Sequence, residues 1–479
     1  MRNRAPLLLG LSVVLSGCNL APRYGRPEST LPPVFALADK EQAPAAVPAA
    51  MLGWQQFFGD PQLRAYLAAA LANNRDLVAA TARIEQARAQ FRIQQAQRLP
   101  QPVAQAGATR SHVPLSNLGF GSEAGSGAIT YDQFTGQVGV SQFEIDFWGR
   151  VRNLAETARR QYLATVEARR AFRLSLIGDV AATYYAIRSG EEGVALAERA
   201  LASRQQGLDI ARLRMDAGVT SSVDYDQSFA LYTQARTQLA DLQRTTEQQR
   251  NRLRALVGGP LPEPVPAGRP ISEADQFARL EPGLPSALLE DRPDIRQAEQ
   301  RLRAANANIG AARAAFFPTV SLTGAFGFAS PQLSALFDSG NRTWSFGGNA
   351  AVPLFDWGQR KAQVRLSEAQ RDELAATYQQ TVQNAFREVA DGLVGRRRLR
   401  EQIASQAEAV AAQRRLTETA AARYQNGISI YLEVLDAERN LFSAEQQLII
   451  LRASELQNEV SLYVALGGGE LAYDGGTAG

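Results

Sequence analysis

The sequence predicts a mainly α-helical chain that also carries a membrane β-barrel. It is built from a duplicated unit of one β-hairpin and one long α-helical hairpin. Three observations predict this. The chain repeats itself, it contains very long proline-poor stretches of helix formers, and its short strand patterns alternate aromatic with small polar residues.

The repeat comes first. Residues 73–100 align without gaps on 291–318, with Asp76 on Asp294, Leu77 on Ile295, Arg83 on Arg301, Ala87 on Ala305 and Pro100 on Pro318. Further along the offset shortens. Trp148-Gly149 falls on Trp357-Gly358, Gly218 on Gly427, Gln238-Leu239 on Gln447-Leu448 and Gly258-Gly259 on Gly467-Gly468. Self-similarity on this scale marks a duplicated structural unit.

The helical stretches come next. Residues 149–215 and 358–425 are dominated by Ala, Arg, Glu, Gln and Leu, all good helix formers. At 1.5 Å per residue each reaches roughly 100 Å. Gly190 and Gly193 are expected to break the first, and Gly392 and Gly395 to bend the second. Each stretch ends at a glycine, Gly218 or Gly427, suited to a left-handed C-cap. A second helix then returns, near 222–257 and 430–466. Alanines such as Ala155, Ala158, Ala164, Ala168 and Ala171 let helices approach closely, as in a coiled-coil sheet or tube. A spacer coiled coil fits the helices alone equally well.

The strand patterns argue for more than a spacer. Val320, Leu322, Phe326 and Phe328 share one face of 320–328, and Ser321, Thr323, Ala325 and Gly327 share the other. Trp344, Phe346, Ala350, Val352 and Leu354 oppose Thr343, Ser345 and Asn349 in the same way. Phe134, Val138 and Val140 alternate with Thr135, Gln137 and Ser141, while a fourth segment, 102–112, alternates poorly. An apolar outside with a small polar inside is the pattern of a transmembrane barrel wall. The same period fits a soluble antiparallel sheet with one buried face. Gly- and Ser-rich connections at 114–128 and 329–341 suit exposed loops. Four strands cannot close a barrel, since about eight are the minimum, and lipid does not tolerate an open edge. A barrel therefore requires several copies of the chain to share it.

The amino end points to a compartment. Arg2 and Arg4 precede the apolar run 7–15, too short to span a bilayer and shaped like a secretory signal. The run ends in Leu15-Ser16-Gly17-Cys18, similar to a bacterial lipoprotein cleavage box. Cys18, the one cysteine of the chain, is then the mature terminus and carries acyl chains such as palmitate. Asn19 in place of an aspartate favours the outer membrane. The expected organisation is a signal peptide at 1–17 and a lipid-anchored tether at 18–53. The first repeat follows at 54–270, with strands near 102–112 and 134–146 and helices near 73–98, 149–214 and 222–257. The second occupies 271–479, with strands near 318–328 and 343–354, helices near 292–315, 358–426 and 430–466, and a carboxyl tail.

Composition excludes several classes. The net charge is +3, and removal of the signal leaves 49 basic against 48 acidic residues, no basis for nucleic-acid binding. No disulfide forms within one chain, and no cofactor is implied. His112 is the single histidine, so a metal site or a His-assisted triad lacks its parts. Gly467-Gly468-Gly469 follows a helix end rather than a strand, unlike a phosphate loop. An enzyme is not expected. Past the signal only Met51 and Met215 remain as methionines, so no methionine-rich path suggests copper or silver export.

Specific stretches carry a family resemblance. They are GCNLAPRYGRP at 17–27, DPQLRAYLAAALANNRDLVAATARIEQARAQ at 60–90 and DRPDIRQAEQRLRAANANIGAARAAFFPTVSLTG at 291–324. PLFDWG at 353–358, AFREVADGL at 385–393 and RYQNGISIYLEVLDAERNLF at 423–442 complete the set. The chain resembles the TolC-like outer membrane factor family, in its OprM/NodT-type lipoprotein branch. FEIDFWGR at 143–150 departs from the family's usual Phe-Gly-Arg ending, where only a packing change is expected. The resemblance implies a homotrimer with a twelve-stranded barrel, a periplasmic α-barrel and a small mixed equatorial domain drawn from 190–200, 260–290, 390–405 and the carboxyl end. It implies docking on a periplasmic adaptor and an inner-membrane resistance-nodulation-division pump, with efflux of drugs as the function and antibiotic resistance as the consequence.

The resemblance also places a gate at the periplasmic tip. Leu432 and Asp436 stand four apart on one helix face and would form a hydrophobic and an acidic ring, the latter favouring cations. Glu433 lies beside them, and Asp224 and Asp226 begin the matching helix. Tyr424 matches a position that ties hairpins together. Ser429 stands where the TolC branch has an arginine, leaving Arg423 or Arg439 as stand-ins. Gly218 and Gly427 mark the tips that meet the adaptor. A plainer account stays open, with Asp224 and Asp436 serving the helix dipole and Leu432 coiled-coil packing. So do two other functions, a non-pore periplasmic coiled-coil lipoprotein and a protein-secretion channel.

Overall fold

The computed structural model describes residues 19–28, 47–114, 127–273, 276–278, 280–281 and 292–469. Cys18, the expected signal and most of the 114–128 connection lie outside the described residues. In chain order the elements are β1 (Val47–Pro48), α1 (Trp54–Phe57), α2 (Pro61–Asn73), α3 (Arg75–Ala96), β2 (Val103–Pro114), β3 (Ala128–Ile145), α4 (Arg150–Asp216) and α5 (Ser222–Val257). Then come β4 (Leu280–Glu281), α6 (Pro293–Ala314), β5 (Thr319–Ser330), β6 (Arg342–Ala351), α7 (Gln359–Gln425) and α8 (Tyr431–Ala465). No described helix is long and apolar enough to cross a membrane. The chain divides into two compact units, one of Met1–Pro27, Ile84–Thr165 and Ala298–Tyr378, the other of Glu28–Arg83, Val166–Gln297 and Gln379–Gly479.

The first unit holds a four-stranded antiparallel sheet in the order β2-β3-β5-β6. The poorly alternating segment is thus a strand, held by pairing with β3 rather than by its own pattern. Register builds rows across the sheet. Ala104, Val138, Phe326 and Trp344 form one row, and Val140, Gly324 and Phe346 another. Val138, Phe326, Trp344 and Phe346 are all exposed large apolar side chains, the last two by 78% and 73%. The opposite face carries Gln105, Gln137, Gly327 and Thr343 in one row and Gly139, Ala325 and Ser345 in the next. A bulge between Val140 and Phe143 shifts the parity of β3, so that Phe143 and Ile145 join the apolar face opposite Leu322 and Val320. Along β3 that face runs from Phe134 to Ile145, close to the roughly 9–11 residues of a tilted membrane strand. It ends where Arg110 pairs with Asp132 at 3.5 Å and His112 Nδ1 lies 2.7 Å from Thr130 Oγ1. The described part of the amino-terminal tether is stitched to helices. Asn306 donates to the Pro22 carbonyl (2.8 Å), and Arg26 pairs with the buried Glu299 at 3.0 Å. Burial pushes the Glu299 carboxyl up, but hydrogen bonds from Arg26 and Arg303 outweigh it and hold it below its ordinary value.

The second unit is helical around an aromatic knot. Phe57 stacks on Tyr463 at 4.2 Å and on Phe277 at 5.1 Å, and the Tyr463 hydroxyl donates to the Leu52 carbonyl at 2.9 Å. Asp60 caps α2 by accepting from the backbone of Gln62 and Leu63, and it also accepts from the Tyr184 hydroxyl at 2.7 Å. β1 pairs with β4 in parallel. Contrary to the expected break, α4 runs unbroken through Gly190 and Gly193, and α7 is continuous through Gly392 and Gly395. Three of these glycines, Gly190, Gly392 and Gly395, make room for neighbours. A Cβ at Gly190 would collide with Thr246, one at Gly395 with Asn458, and one at Gly392 would sit 3.0 Å from Leu462 Cδ1.

The duplication repeats a locking device with different chemistry. Asn74 donates to the Leu256 carbonyl at the end of α5 (2.8 Å). Its repeat mate Arg292 donates to the Ala465 carbonyl at the end of α8 (2.9 Å), and pairs with Asp294 (2.6 Å) and Glu388 (2.8 Å).

Candidate functional site

The two hairpin tips in the second unit follow one design. At the end of α4, Gly218 has φ +72° and donates to Met215 O (2.9 Å), while Val219 donates to Arg214 O (2.9 Å). At the end of α7, Gly427 has φ +72° and donates to Tyr424 O (3.0 Å), while Ile428 donates to Arg423 O (2.9 Å). Both are Schellman caps, and the left-handed backbone, not crowding, demands glycine, because an added Cβ would meet nothing within 4 Å. The tips are apolar outside. Val219, Val223, Ile428, Ile430 and Leu432 are exposed.

Behind the tips the two hairpins are tied to each other. Ser203 on α4 donates to Glu438 on α8 (2.9 Å), and Leu196 and Ala197 pack with Phe442. Arg204 is buried, donates to the Leu231 carbonyl (3.2 Å) and lies 5.9 Å from the Phe442 ring centre. Burial holds its guanidinium below the ordinary value, and Glu438 works against that. Tyr431 leans on Gly207, where any Cβ would strike its ring, and burial pushes its phenol up to about 12.

Tyr424 sits at the join. Arg214, in the last turn of α4, hydrogen-bonds its hydroxyl and lies 5.6 Å from its ring centre, and Tyr431 packs against it at 5.0 Å. Sequence reasoning missed Arg214. Its repeat mate is Arg423, and each ends a long helix, which reads as a cation serving the helix dipole. Within one chain the two possible stand-ins pair with acidic neighbours. Arg423 turns to Glu433 at 3.8 Å, and Arg439 to Asp436 at 3.1 Å. Ser429 Oγ is buried without a hydrogen-bond partner. Asp224 and Asp226 are exposed on the first turns of α5. Within one chain Leu432 and Asp436 share a face one helical turn apart, Asp436 half exposed and Leu432 44% exposed.

Known proteins share both sequence and fold. The family profile described as outer membrane efflux protein matches residues 66–259 and 284–468, which is most of the chain.

This chain belongs to the outer membrane efflux protein family.

The two matched stretches fall one on each repeat. The chain is 41% identical over 473 residues to the toluene efflux pump outer membrane protein TtgC of Pseudomonas putida, covering 96% of this chain and 95% of that one. It is 38% identical over 464 residues to the cation efflux system protein CusC of Escherichia coli, covering 96% and 98%. Its fold matches the open state of the Neisseria gonorrhoeae MtrE outer membrane channel with a TM-score of 0.83, at 34% identity over 95% of this chain and 99% of that one. This outer membrane efflux protein is therefore a channel of the outer membrane, of a transport family rather than an enzyme family. The exposed aromatic face of its sheet is the face such a protein turns to lipid.

Proposed function

We propose that the protein is the passive exit duct of a tripartite efflux system, assembled as a homotrimer and gated at its periplasmic hairpin tips. The observation that carries this is the four-stranded sheet, apolar and exposed on one face, with β2 and β6 each paired on one side only among the described residues. In lipid such edges must be closed by further copies, and three copies give the twelve strands implied by the family. The helical hairpins then surround a periplasmic tunnel. Its tips dock on an adaptor, which links the duct to an inner-membrane pump of the resistance-nodulation-division type. Cys18 anchors each chain to the outer membrane. The cargo is small molecules selected by the pump. Its relatives, a toluene efflux pump outer membrane protein and a cation efflux system protein, support a duct that tolerates unlike cargoes. The test is direct. Purified protein should form discrete conductances in planar bilayers, and deletion of the gene should sensitise the cell to a panel of drugs, dyes and metals. Protein that never conducts would favour the spacer lipoprotein.

Leu432 and Asp436 form the constriction in this reading, with Glu433, Asp224 and Asp226 around it. Arg214 and Tyr424 hold the closed tip. Loss of a hydrogen bond from a charged donor at a half-exposed site costs about 1.5 kcal/mol, so Arg214→Ala should raise the ratio of open to closed tips about tenfold. Open-channel occupancy in single-channel recordings checks this. An unchanged occupancy removes the pair from the latch. Tryptophan at Gly218 or Gly427 should abolish drug export, because a bulky residue at φ +72° breaks the cap that shapes the adaptor-facing tip. Export that survives both substitutions would count against tip docking.

A further inference from the structure

The two repeats seat equivalent tryptophans differently. Trp148, just after β3, stacks on Phe317 at 4.5 Å and donates its indole N–H to the Pro318 carbonyl at 2.9 Å. Those partners precede β5, which is the strand β3 pairs with. The repeat mate Trp357, just after β6, is 98% exposed, and Leu354 and Phe355 beside it are 80% and 86% exposed. Trp357 also holds φ +50°, a conformation that a bulky side chain adopts only when something fixes it. The repeat mates of Phe317 and Pro318 are Leu99 and Pro100, just before β2, and Leu99 is 67% exposed. One chain therefore displays an unseated tryptophan beside the strand at one edge of the sheet and an empty seat beside the strand at the other.

Resting on the shared-barrel reading above, we infer that Trp357 docks on Leu99 and Pro100 of a second copy of this chain, repeating between copies the seat that Trp148 takes within one. The duplication also fixes how β6 pairs with β2 of the next copy. Transfer of Ile145↔Val320 and Phe143↔Leu322 through the repeat offsets gives Leu354↔Pro102 and Val352↔Ala104. This register passes an independent check. Within one chain Ala104 lies in the apolar row of Val138, Phe326 and Trp344, and Val352 continues the same parity of β6. Like faces thus meet, and a one-residue slip would put every apolar side chain of β6 on the wrong side. Continued without a bulge, the register brings Ala350 to Ala106 and Gly348 to Ala108. The seam is built of small residues, with the Trp357 indole clamping its periplasmic end.

The test is disulfide trapping in outer-membrane preparations of the full chain, in two double variants, Leu99→Cys with Trp357→Cys and Ala104→Cys with Val352→Cys. Ala104 and Val352 are directly opposed in this register, about 4.5–5.5 Å apart between Cα atoms and within disulfide reach. Leu99 and Trp357 continue the same register, as Phe317 and Trp148 continue that of Val320 and Ile145. A pair displaced by two lies about 7–8 Å apart. Both variants should give reductant-sensitive covalent oligomers on denaturing gels after mild oxidation, and each single variant should not. The displaced pair Ala106→Cys with Val352→Cys should trap poorly. Efficient trapping of the displaced pair, or none at the two inferred pairs, in protein that runs as an oligomer on native gels overturns this register and leaves the shared barrel standing. Protein that runs as a monomer on native gels overturns both.

Discussion

Alanine at both Leu432 and Asp436 should raise single-channel conductance and weaken cation preference in planar bilayers. The two side chains project from one face of α8 in its first two turns. In a symmetric trimer they would stack a ring of leucines on a ring of carboxylates. Removing the leucines widens the bore, and removing the carboxylates takes away the charge that attracts cations. Reversal potentials across a salt gradient separate the two effects. Leu432→Ala alone should change conductance with little change in selectivity, and Asp436→Ala the reverse. The Arg439 guanidinium at 3.1 Å partly offsets the Asp436 charge, so Arg439→Ala should sharpen cation preference. Conductance and selectivity that stay fixed in the double variant would place the constriction elsewhere.

Loss of Arg292 should destabilise the chain more than loss of Asn74, its mate in the first repeat. The Arg292 side chain is only 9% exposed and serves three acceptors, the Ala465 carbonyl, Asp294 and Glu388. Removing one partner of a buried pair costs about 3–5 kcal/mol, but Asp294 and Glu388 are more than a third exposed here, so about 2–3 kcal/mol is the expected loss for Arg292→Ala. Asn74→Ala, at the equivalent place in the first repeat, removes a neutral hydrogen bond to Leu256 and one to the Leu77 N–H, and should cost about 1–2 kcal/mol. Thermal unfolding followed by circular dichroism ranks them. Equal stability of the two variants, or an Arg292→Ala protein as stable as the parent, would contradict the assignment.

Much of the fold was legible because its signals are periodic. Alternation in 320–328 and 343–354 marked β5 and β6, and helix formers bounded by Gly218 and Gly427 marked α4 and α7. The strand expected near 102–112 is present as Val103–Pro114 although it alternates poorly, because β3 supplies the pairing. Two features were not legible, each because a partner distant in sequence decides it. Gly190 looks like a helix break, but its role is to admit Thr246. Arg214 looks like a C-terminal cation until Tyr424 is placed beside it, although the two are 210 residues apart. The tip residues 432–436 could be placed on one helix face by spacing. What that face meets depends on other copies of the chain, which one sequence does not display.

The most direct measurement is native mass spectrometry of the detergent-purified mature protein. The account predicts a single species of three chains that persists without adaptor or pump, because a four-stranded sheet closes only in company. A folded, monodisperse single chain that stays soluble once detergent is removed would contradict it.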